Sequence, residues 1–166
     1  MLDRIMEITR ASDYDFRDTA YPDDPLKDRF EEWVPYYRLK WAIARALQPR
    51  RILEVGVRYG YSALAFLNAC PSAHYIGIDV DGDTFGGQSG AIKHARQATR
   101  GFQAEFLVAD SQLMYQFPGG VYDLIHLDGQ QDEVGWHHDL KLALNRARCI
   151  LMKIVVPTHS AIAASN

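Results

Sequence analysis

A short apolar stretch that runs into two closely spaced glycines is the feature that most limits how this chain can fold. Residues 51–62 read RILEVGVRYGYS. Ile52, Leu53 and Val55 form an apolar run of the kind that is buried in a parallel strand. Residues 62–69 then read as a helix, which a proline ends. The pattern therefore predicts a buried strand, a glycine-containing turn and a helix in direct succession.

Gly56 and Gly60 allow the chain to cross sharply from the strand to the helix. A glycine can take a positive φ and has no Cβ, so a ligand can lie against the backbone at such a turn. The helix that follows points its N-terminal N–H groups at the same ligand. This order predicts the first βα unit of a Rossmann-type sheet. Because a Cβ at Gly56 would enter the ligand space, we expect its replacement to remove binding and to leave the fold intact.

The pattern Glu54-x-Gly56-x-x-x-Gly60-x-Ser62 resembles the first motif of class I S-adenosylmethionine (SAM) dependent methyltransferases. The form is that of small-molecule and sugar O-methyltransferases and of cephalosporin hydroxylase-like proteins. The resemblance implies that Glu54, Gly56, Gly60 and Ser62 bind SAM. The competing interpretation is a nicotinamide or flavin fold, which normally shows G-x-G-x-x-G and a further acid about 20 residues on. Glycines that only make a tight turn are the third alternative.

Length and charge fit one domain that binds a small molecule. The chain has 166 residues, 48% of them apolar, and a net charge of −3. Lys and Arg are scattered, which argues against nucleic-acid and membrane partners. The N-terminus lacks a signal peptide's apolar block, and no stretch approaches the roughly 20 apolar residues of a membrane span, so we predict a cytoplasmic protein. Cys70 and Cys149 show neither metal-binding nor redox spacing and read as free thiols.

The N-terminal part of the chain differs in composition from the rest. Residues 1–25 are polar and aromatic and predict a surface arm, with a mobile cover over a pocket as the alternative. Residues 26–166 predict a single domain. At the start of this domain, apolar residues recur at spacings of three and four, which predicts a helix, although Pro35 suggests a break. Tyr36 and Tyr37 on this helix read as packing residues, with substrate contact as the alternative.

Three further apolar segments, each of which carries an acid at its end, read as strands over residues 74–80, 104–110 and 122–128. In a doubly wound sheet, an acid after the second strand lies beside the first βα turn and can accept hydrogen bonds from a ribose diol. We therefore predict that Asp79 binds the ribose. By the resemblance, Asp110 and Ser111 bind the adenine amino group. Asp128 lies where the methyl group is transferred, or alternatively only caps its turn.

A helix over residues 132–146 and a strand over residues 149–156 complete the pattern. Together the segments predict an α/β fold, a Rossmann-like doubly wound parallel sheet in the order 3-2-1-4-5. Proteins of the resembled family continue with a helix and an antiparallel strand pair, and residues 157–166 are too few for these. We therefore expect an incomplete C-terminal strand pair. Either the fifth strand then pairs across a homodimer, or the residues after about Met152 belong to a later strand and an intervening segment is absent from this sequence.

The resemblance implies SAM-dependent methyl transfer to a small-molecule acceptor, through a hydroxyl of a sugar or other natural product. In such a displacement the protein mainly positions the acceptor and takes its proton. Asp128 and His126 are the predicted catalytic residues, with a core role as the alternative for His126. Metal-dependent members hold Mg²⁺ with carboxylates after the fourth and fifth strands. Here only Asp128 fits, because Leu151-Met152-Lys153 carries no acid, and the sequence leaves Mg²⁺ open.

Two other function classes stay open. The first is a SAM-binding protein without transferase activity, which the missing acid of the fifth strand favours. The second is a nucleotide or dinucleotide-binding Rossmann protein. A comparison of the binding of SAM, NAD and nucleotide sugars separates the second class from a methyltransferase, and an assay of methyl transfer separates the first.

Overall fold

A five-stranded parallel sheet forms the centre of the chain, in the predicted order β3-β2-β1-β4-β5. The computed structural model describes residues 1–84, 87–130 and 132–152. The strands are Arg51–Val55 (β1), His74–Asp79 (β2), Gln103–Val108 (β3), Leu124–Leu127 (β4) and Ile150–Met152 (β5). The helices are Leu2–Ala11 (α1), Phe30–Leu47 (α2), Tyr61–Ala69 (α3), Ala91–Ala98 (α4) and Glu133–Ala143 (α5). The strand order reverses beside β1, which places a crevice at the carboxyl ends of β1 and β4.

Apolar side chains cover both faces of the sheet. Successive residues of a strand point to opposite faces, and β1 shows the result. Ile52 packs in one core with Phe66 of α3, whereas Leu53 packs in a second core with Ile125 of β4 and with Leu140 of α5. Because both faces of β1 are buried, its sequence is a continuous apolar run rather than an alternating one.

Aromatic residues pack the N-terminal segment onto the domain. The ring of Phe16 is 1% exposed, and its centroid lies 4.4 Å from that of Tyr37 and 5.1 Å from that of Tyr61. Asp24 is also buried, and its carboxylate oxygens accept hydrogen bonds from the Arg58 guanidinium at 2.8 and 3.1 Å. The segment around Phe16 and Asp24 is therefore a packed layer over α2 and the glycine turn, and not a surface arm.

Helix α2 runs through Pro35 without a break, so the predicted interruption is wrong. Pro35 lies in the second turn of the helix, where its missing N–H removes only the hydrogen bond to the carbonyl of Glu31. Burial of Val34, Ala42 and Ala44 holds the helix on the domain on both sides of the proline. Neither α2 nor any other helix of the described residues is long and apolar enough to cross a lipid bilayer.

The expectations about the C-terminus lie outside the described residues. Strand β5 pairs in parallel with β4, with Ile150 beside Ile125, and it is described as far as Met152. The predicted extension of this strand to residue 156 and the incomplete strand pair fall on residues 153–166. The structure does not describe those residues.

Candidate functional site

A cavity of about 660 Å³ lies at the carboxyl ends of the strands, at the crevice where the strand order reverses. This volume is in the range of small-molecule sites, roughly 300–1,000 Å³. The start of α2 and the segment before it form one wall, and the ends of β1, β2 and β4 form the floor. Residues that line the cavity include Trp33, Tyr36, Gly56, Asp79, Asp110 and Asp128.

Most of the residues that the sequence predicts for the site meet at this cavity. Its lining contains Gly56, Ser62, Asp79, Asp110, Ser111 and Asp128. Glu54, Gly60 and His126 lie outside the described lining. Glu54 and His126 are each 0% exposed, because they point from β1 and β4 into the layer beneath the cavity. They can influence a ligand through other side chains, but they do not contact the cavity themselves.

The glycine turn (residues 56–60) requires glycine at two positions because neighbouring atoms pack too closely for a Cβ. Gly56 has a φ of 85° and Gly60 a φ of 82°. A Cβ at Gly56 would lie 2.6 Å from the backbone nitrogen of Gly129 and would collide with the Asp128 carbonyl. A Cβ at Gly60 would lie 2.9 Å from the Cβ of Ala95 in α4. The expectation that a larger residue at Gly56 would leave the fold intact is therefore wrong.

The carboxylate of Asp79 holds the glycine turn in place. Its Oδ2 accepts hydrogen bonds from the backbone N–H groups of Val57 at 2.7 Å and of Arg58 at 2.8 Å. Its Oδ1 accepts a third from the N–H of Asp81 at 2.7 Å. A carboxylate offers about four acceptor positions, so about one remains for a ligand hydroxyl. Asp79 thus both shapes the turn and presents an acceptor at the cavity.

Asp110 and Ser111 lie in a capped turn that follows β3. The Asp110 carboxylate accepts a hydrogen bond from the N–H of Gln112 at 2.9 Å, and the side chain of Gln112 donates to Asp139 at 3.1 Å. The His138 ring nitrogen Nε2 lies 3.1 Å from the Ser111 carbonyl. Burial raises the pKa of Asp139. These contacts fix the cavity wall where the resemblance implies an adenine site.

Asp128 shares one carboxylate oxygen between two side chains of α2. The Tyr36 hydroxyl donates to its Oδ2 at 3.2 Å, and the Lys40 ammonium lies 3.2 Å from the same oxygen. Lys40 also donates to the Ser62 hydroxyl at 2.6 Å and is 2% exposed. Lys40 is not among the site residues predicted from the sequence. A signal was present, because Lys40 lies three residues after Tyr37, at a position that belongs to the apolar face of the helix.

Glu54 and His126 form a buried pair behind Asp128. The Glu54 Oε1 lies 2.8 Å from His126 Nδ1, and the Tyr75 hydroxyl donates to the other oxygen of Glu54. His126 Nε2 lies 3.8 Å from Asp128 Oδ2. Burial raises the pKa of Glu54 to about 8, although the nearby charge of Lys40 acts to lower it. Glu54 is therefore mostly protonated at neutral pH.

The side chains near Asp128 do not fit Mg²⁺. Among the described residues, no group of three or more His, Cys, Asp or Glu side chains could hold a metal ion. The Lys40 ammonium, 3.2 Å from Asp128 Oδ2, would repel a dication at that oxygen. Leu151 and Met152 add no carboxylate at the end of β5, whereas Mg²⁺ prefers carboxylate and water oxygens.

Solved structures of other proteins share this fold. The methyltransferase PaMTH1 of Podospora anserina, bound to S-adenosylhomocysteine (SAH), is 23% identical with a TM-score of 0.59. The matched region covers 91% of this chain and 62% of the PaMTH1 chain. The O-methyltransferase TomG of Streptomyces achromogenes, in complex with SAM, is 20% identical with a TM-score of 0.54, at 88% and 61% coverage. The chain therefore spans less than two thirds of either protein.

Comparisons of sequence agree with the fold. The uncharacterized protein y4gI of Sinorhizobium fredii is 26% identical over 80% of this chain, which corresponds to 15% of that protein. The family described as "Methyltransferase domain" matches residues 53–149, which run from β1 to the residue before β5 and include most of the cavity floor. As this match covers more than half of the sequence, the chain belongs to the methyltransferase domain family.

Proposed function

We propose that this chain binds SAM and transfers its methyl group to a hydroxyl of a small molecule, such as a sugar or another natural product. The observation that carries the proposal is the convergence of the glycine turn, Asp79 and Asp128 on one cavity of about 660 Å³. Membership of the methyltransferase domain family supports it. PaMTH1 with bound SAH and TomG with bound SAM add support from proteins of the same fold.

In this proposal, a separate group of the cavity serves each part of SAM. The glycine turn lies at the start of α3, where the N–H groups of a helix terminus face a ligand carboxylate favourably. Asp79 has about one acceptor position left for a ribose hydroxyl. Asp110 and Ser111 line the wall at which we expect the adenine ring.

Asp128 is the proposed proton acceptor. When bound, SAM would supply a sulfonium-activated methyl carbon, to which an acceptor oxygen would bond in line as the carbon–sulfur bond breaks and SAH leaves. The hydroxyl proton must leave that oxygen, and a positioned carboxylate can take it. The Asp128 side chain is 15% exposed and lines the cavity, whereas His126 does not reach it. The Tyr36 hydroxyl donates a hydrogen bond to Asp128 Oδ2 and restricts the orientation of the carboxylate.

The experiment combines ligand binding with methyl transfer. We expect calorimetry to show that SAM and SAH bind and that NAD does not. Release of SAH is then measured with catechol and methyl glucoside as probe acceptors. Asp128→Asn should bind SAM as the parent does and should lower turnover by about 10²-fold or more. Absence of SAM binding would refute the proposal. Binding without transfer to any hydroxyl would favour the SAM-binding protein without transferase activity.

The location, the binding partners and the oligomeric state of the protein stay predictions from the sequence. These predictions are its cytoplasmic location, its lack of nucleic-acid and membrane partners, and its association as a homodimer. The scattered Lys and Arg residues and the net charge of −3 support the absence of a nucleic-acid partner.

A further inference from the structure

Lys40 is a charged residue in a position that packing alone would give to an apolar side chain. It is 2% exposed in the middle of α2, and its ammonium lies 4.1 Å from the ring centroid of Tyr36. Burial of an ammonium group costs several kcal/mol unless charged or polar partners compensate it. Its partners are Ser62 Oγ at 2.6 Å and Asp128 Oδ2 at 3.2 Å, from α3 and from the end of β4.

The position of Lys40 restricts the role that it can have. Lys40 lies outside the described lining of the cavity, whereas both of its partners, Ser62 and Asp128, belong to that lining. Lys40 is therefore one layer behind the space for SAM and the acceptor. It can act on the reaction only through the side chains that it holds.

Titratable groups surround Asp128 and Lys40. Those that act on one of the two directly are Tyr36 and Tyr37 of α2, Glu54 of β1 and His126 of β4. One layer further out, Tyr75 of β2 donates to Glu54, and Arg58 of the glycine turn acts on Tyr37. Burial raises the pKa values of Tyr36, Tyr37 and Glu54, so these groups stay mostly neutral at pH 7. Arg58 is bound to Asp24. The Lys40 ammonium places a positive charge 3.2 Å from the Asp128 carboxylate oxygen Oδ2.

We propose that Lys40 is a positioning residue of the methyl-transfer site, whose ammonium keeps the Asp128 carboxylate ionised and aimed into the cavity. It takes the position beside Asp128 Oδ2 that a divalent cation would need. Its second bond, to Ser62 in the first turn of α3, ties that carboxylate to the helix that follows the glycine turn. This inference rests on the proposed function, because it gives Lys40 a task in the transfer of the acceptor proton to Asp128.

The first test follows the Asp128 carboxyl by NMR in protein labelled with carbon-13 at the aspartate carboxyl groups. Loss of one signal in Asp128→Asn assigns the resonance. We expect Lys40→Met to move the midpoint of Asp128 protonation to higher pH, because the adjacent cation stabilises the carboxylate. Lys93→Met, at an exposed position of α4, is the matched control and should leave the midpoint unchanged. An unchanged midpoint in Lys40→Met would overturn the inference.

A second measurement needs no substitution of Lys40 and decides the question if that variant does not fold. In wild-type protein labelled with nitrogen-15 lysine, the Lys40 Nζ signal should change over the same pH range as the Asp128 carboxyl signal. Separate titrations of the two groups would contradict the pairing. Added Mn²⁺ should not broaden the Asp128 signal, and selective broadening would show that a dication reaches the carboxylate in spite of Lys40.

Kinetics separate a positioning role from a purely structural one. With an acceptor that the wild type methylates, Lys40→Met should lower kcat, move the acid limb of the pH–rate profile to higher pH, and bind SAM as the parent does. An unshifted profile in a folded variant would overturn the inference while the proposed function stands. If the NMR titrations pair the two groups but SAM does not bind, the pair is structural, and both the proposed function and this inference fail.

Discussion

Asp79 and Glu54 are two carboxyl groups near the glycine turn whose surroundings differ. Asp79 lines the cavity and accepts hydrogen bonds from three backbone N–H groups. Glu54 is 0% exposed, and burial raises its pKa to about 8, which favours the neutral acid. Each of these differences leads to a measurable effect.

We expect Asp79→Ala to weaken SAM binding roughly ten- to a hundredfold. The substitution removes a charged hydrogen-bond acceptor, a change of about 1.5–3 kcal/mol, and it also releases the N–H groups of Val57 and Arg58. Calorimetry measures the affinity, and Asp3→Ala in the exposed first turn of α1 is the control. If Asp79→Ala binds SAM as tightly as the parent, Asp79 at the end of β2 does not bind the ribose.

The buried acid predicts a particular dependence of stability on pH. The pKa of Glu54 rises from an ordinary 4.5 to about 8 on folding, mainly because of burial. Between these values unfolding releases a proton from Glu54, so its contribution to the free energy of unfolding falls as the pH rises. Glu54→Gln cannot titrate, and urea unfolding from about pH 5 to 8 should show a flatter pH dependence than in the wild type. Equal slopes for both proteins would show that Glu54 is already ionised in the folded state.

At the scale of elements, the glycine turn is shaped from three sides. From β2, Asp79 binds the backbone N–H groups of the turn. From the N-terminal segment, Asp24 binds Arg58 and also accepts a hydrogen bond from the Tyr61 hydroxyl at 2.9 Å. After β4, the Asp128–Gly129 backbone packs directly against Gly56. A turn held by three elements is formed before a ligand arrives, which reduces the entropy lost on binding.

This packing predicts a loss of stability for Gly56→Ala. A Cβ would collide with the Asp128 carbonyl at a φ of 85°, and we expect the free energy of unfolding to fall by at least about 2 kcal/mol. Gly101→Ala is the matched control, because a Cβ there has no heavy atom within 4 Å, and it should change stability by about 0.5 kcal/mol or less. Urea unfolding without ligand measures both. A Gly56→Ala variant that is as stable as the wild type but does not bind SAM would instead show that the Cβ enters the space of the ligand.

At the scale of the whole molecule, the described sheet has two edges. β3 forms one edge, where Leu107 is 39% and Val108 is 57% exposed. β5 forms the other edge, and Ile150, Leu151 and Met152 are each partly exposed. An apolar edge strand presents unpaired N–H and C=O groups, which another chain can pair with. In the described part of the chain, both edge strands therefore combine partly exposed apolar side chains with unpaired backbone groups.

We predict that the protein forms a homodimer through a sheet edge. Size-exclusion chromatography with light scattering at micromolar concentration should give twice the chain mass of 18.8 kDa. Val108→Lys places a charge on β3, and it should leave the dimer intact if the β5 edge forms the contact, which is one of the two alternatives that the sequence leaves for the fifth strand. A monomer at these concentrations would contradict association through either edge.

The order of the strands and the place of the cavity follow from the sequence pattern alone. Apolar runs that alternate with helical patterns allow few topologies, because parallel crossovers are right-handed and short. Acids that follow such runs must gather at one edge, since the carboxyl ends of parallel strands meet there. Asp79, Asp110 and Asp128 line the cavity for that reason.

The groups that surround Asp128 and the reason why Gly56 must be a glycine become known only from contacts between distant parts of the chain. The contact of Lys40 with Asp128 joins residues 88 positions apart, and that of Glu54 with His126 joins residues 72 apart. Periodicity assigns a side chain to a buried face, but it carries no information on which distant side chain shares that face. The contacts of Lys40 depend on those partners, and the raised pKa of Glu54 depends mainly on the exclusion of water, which arises only when the helices close over the sheet.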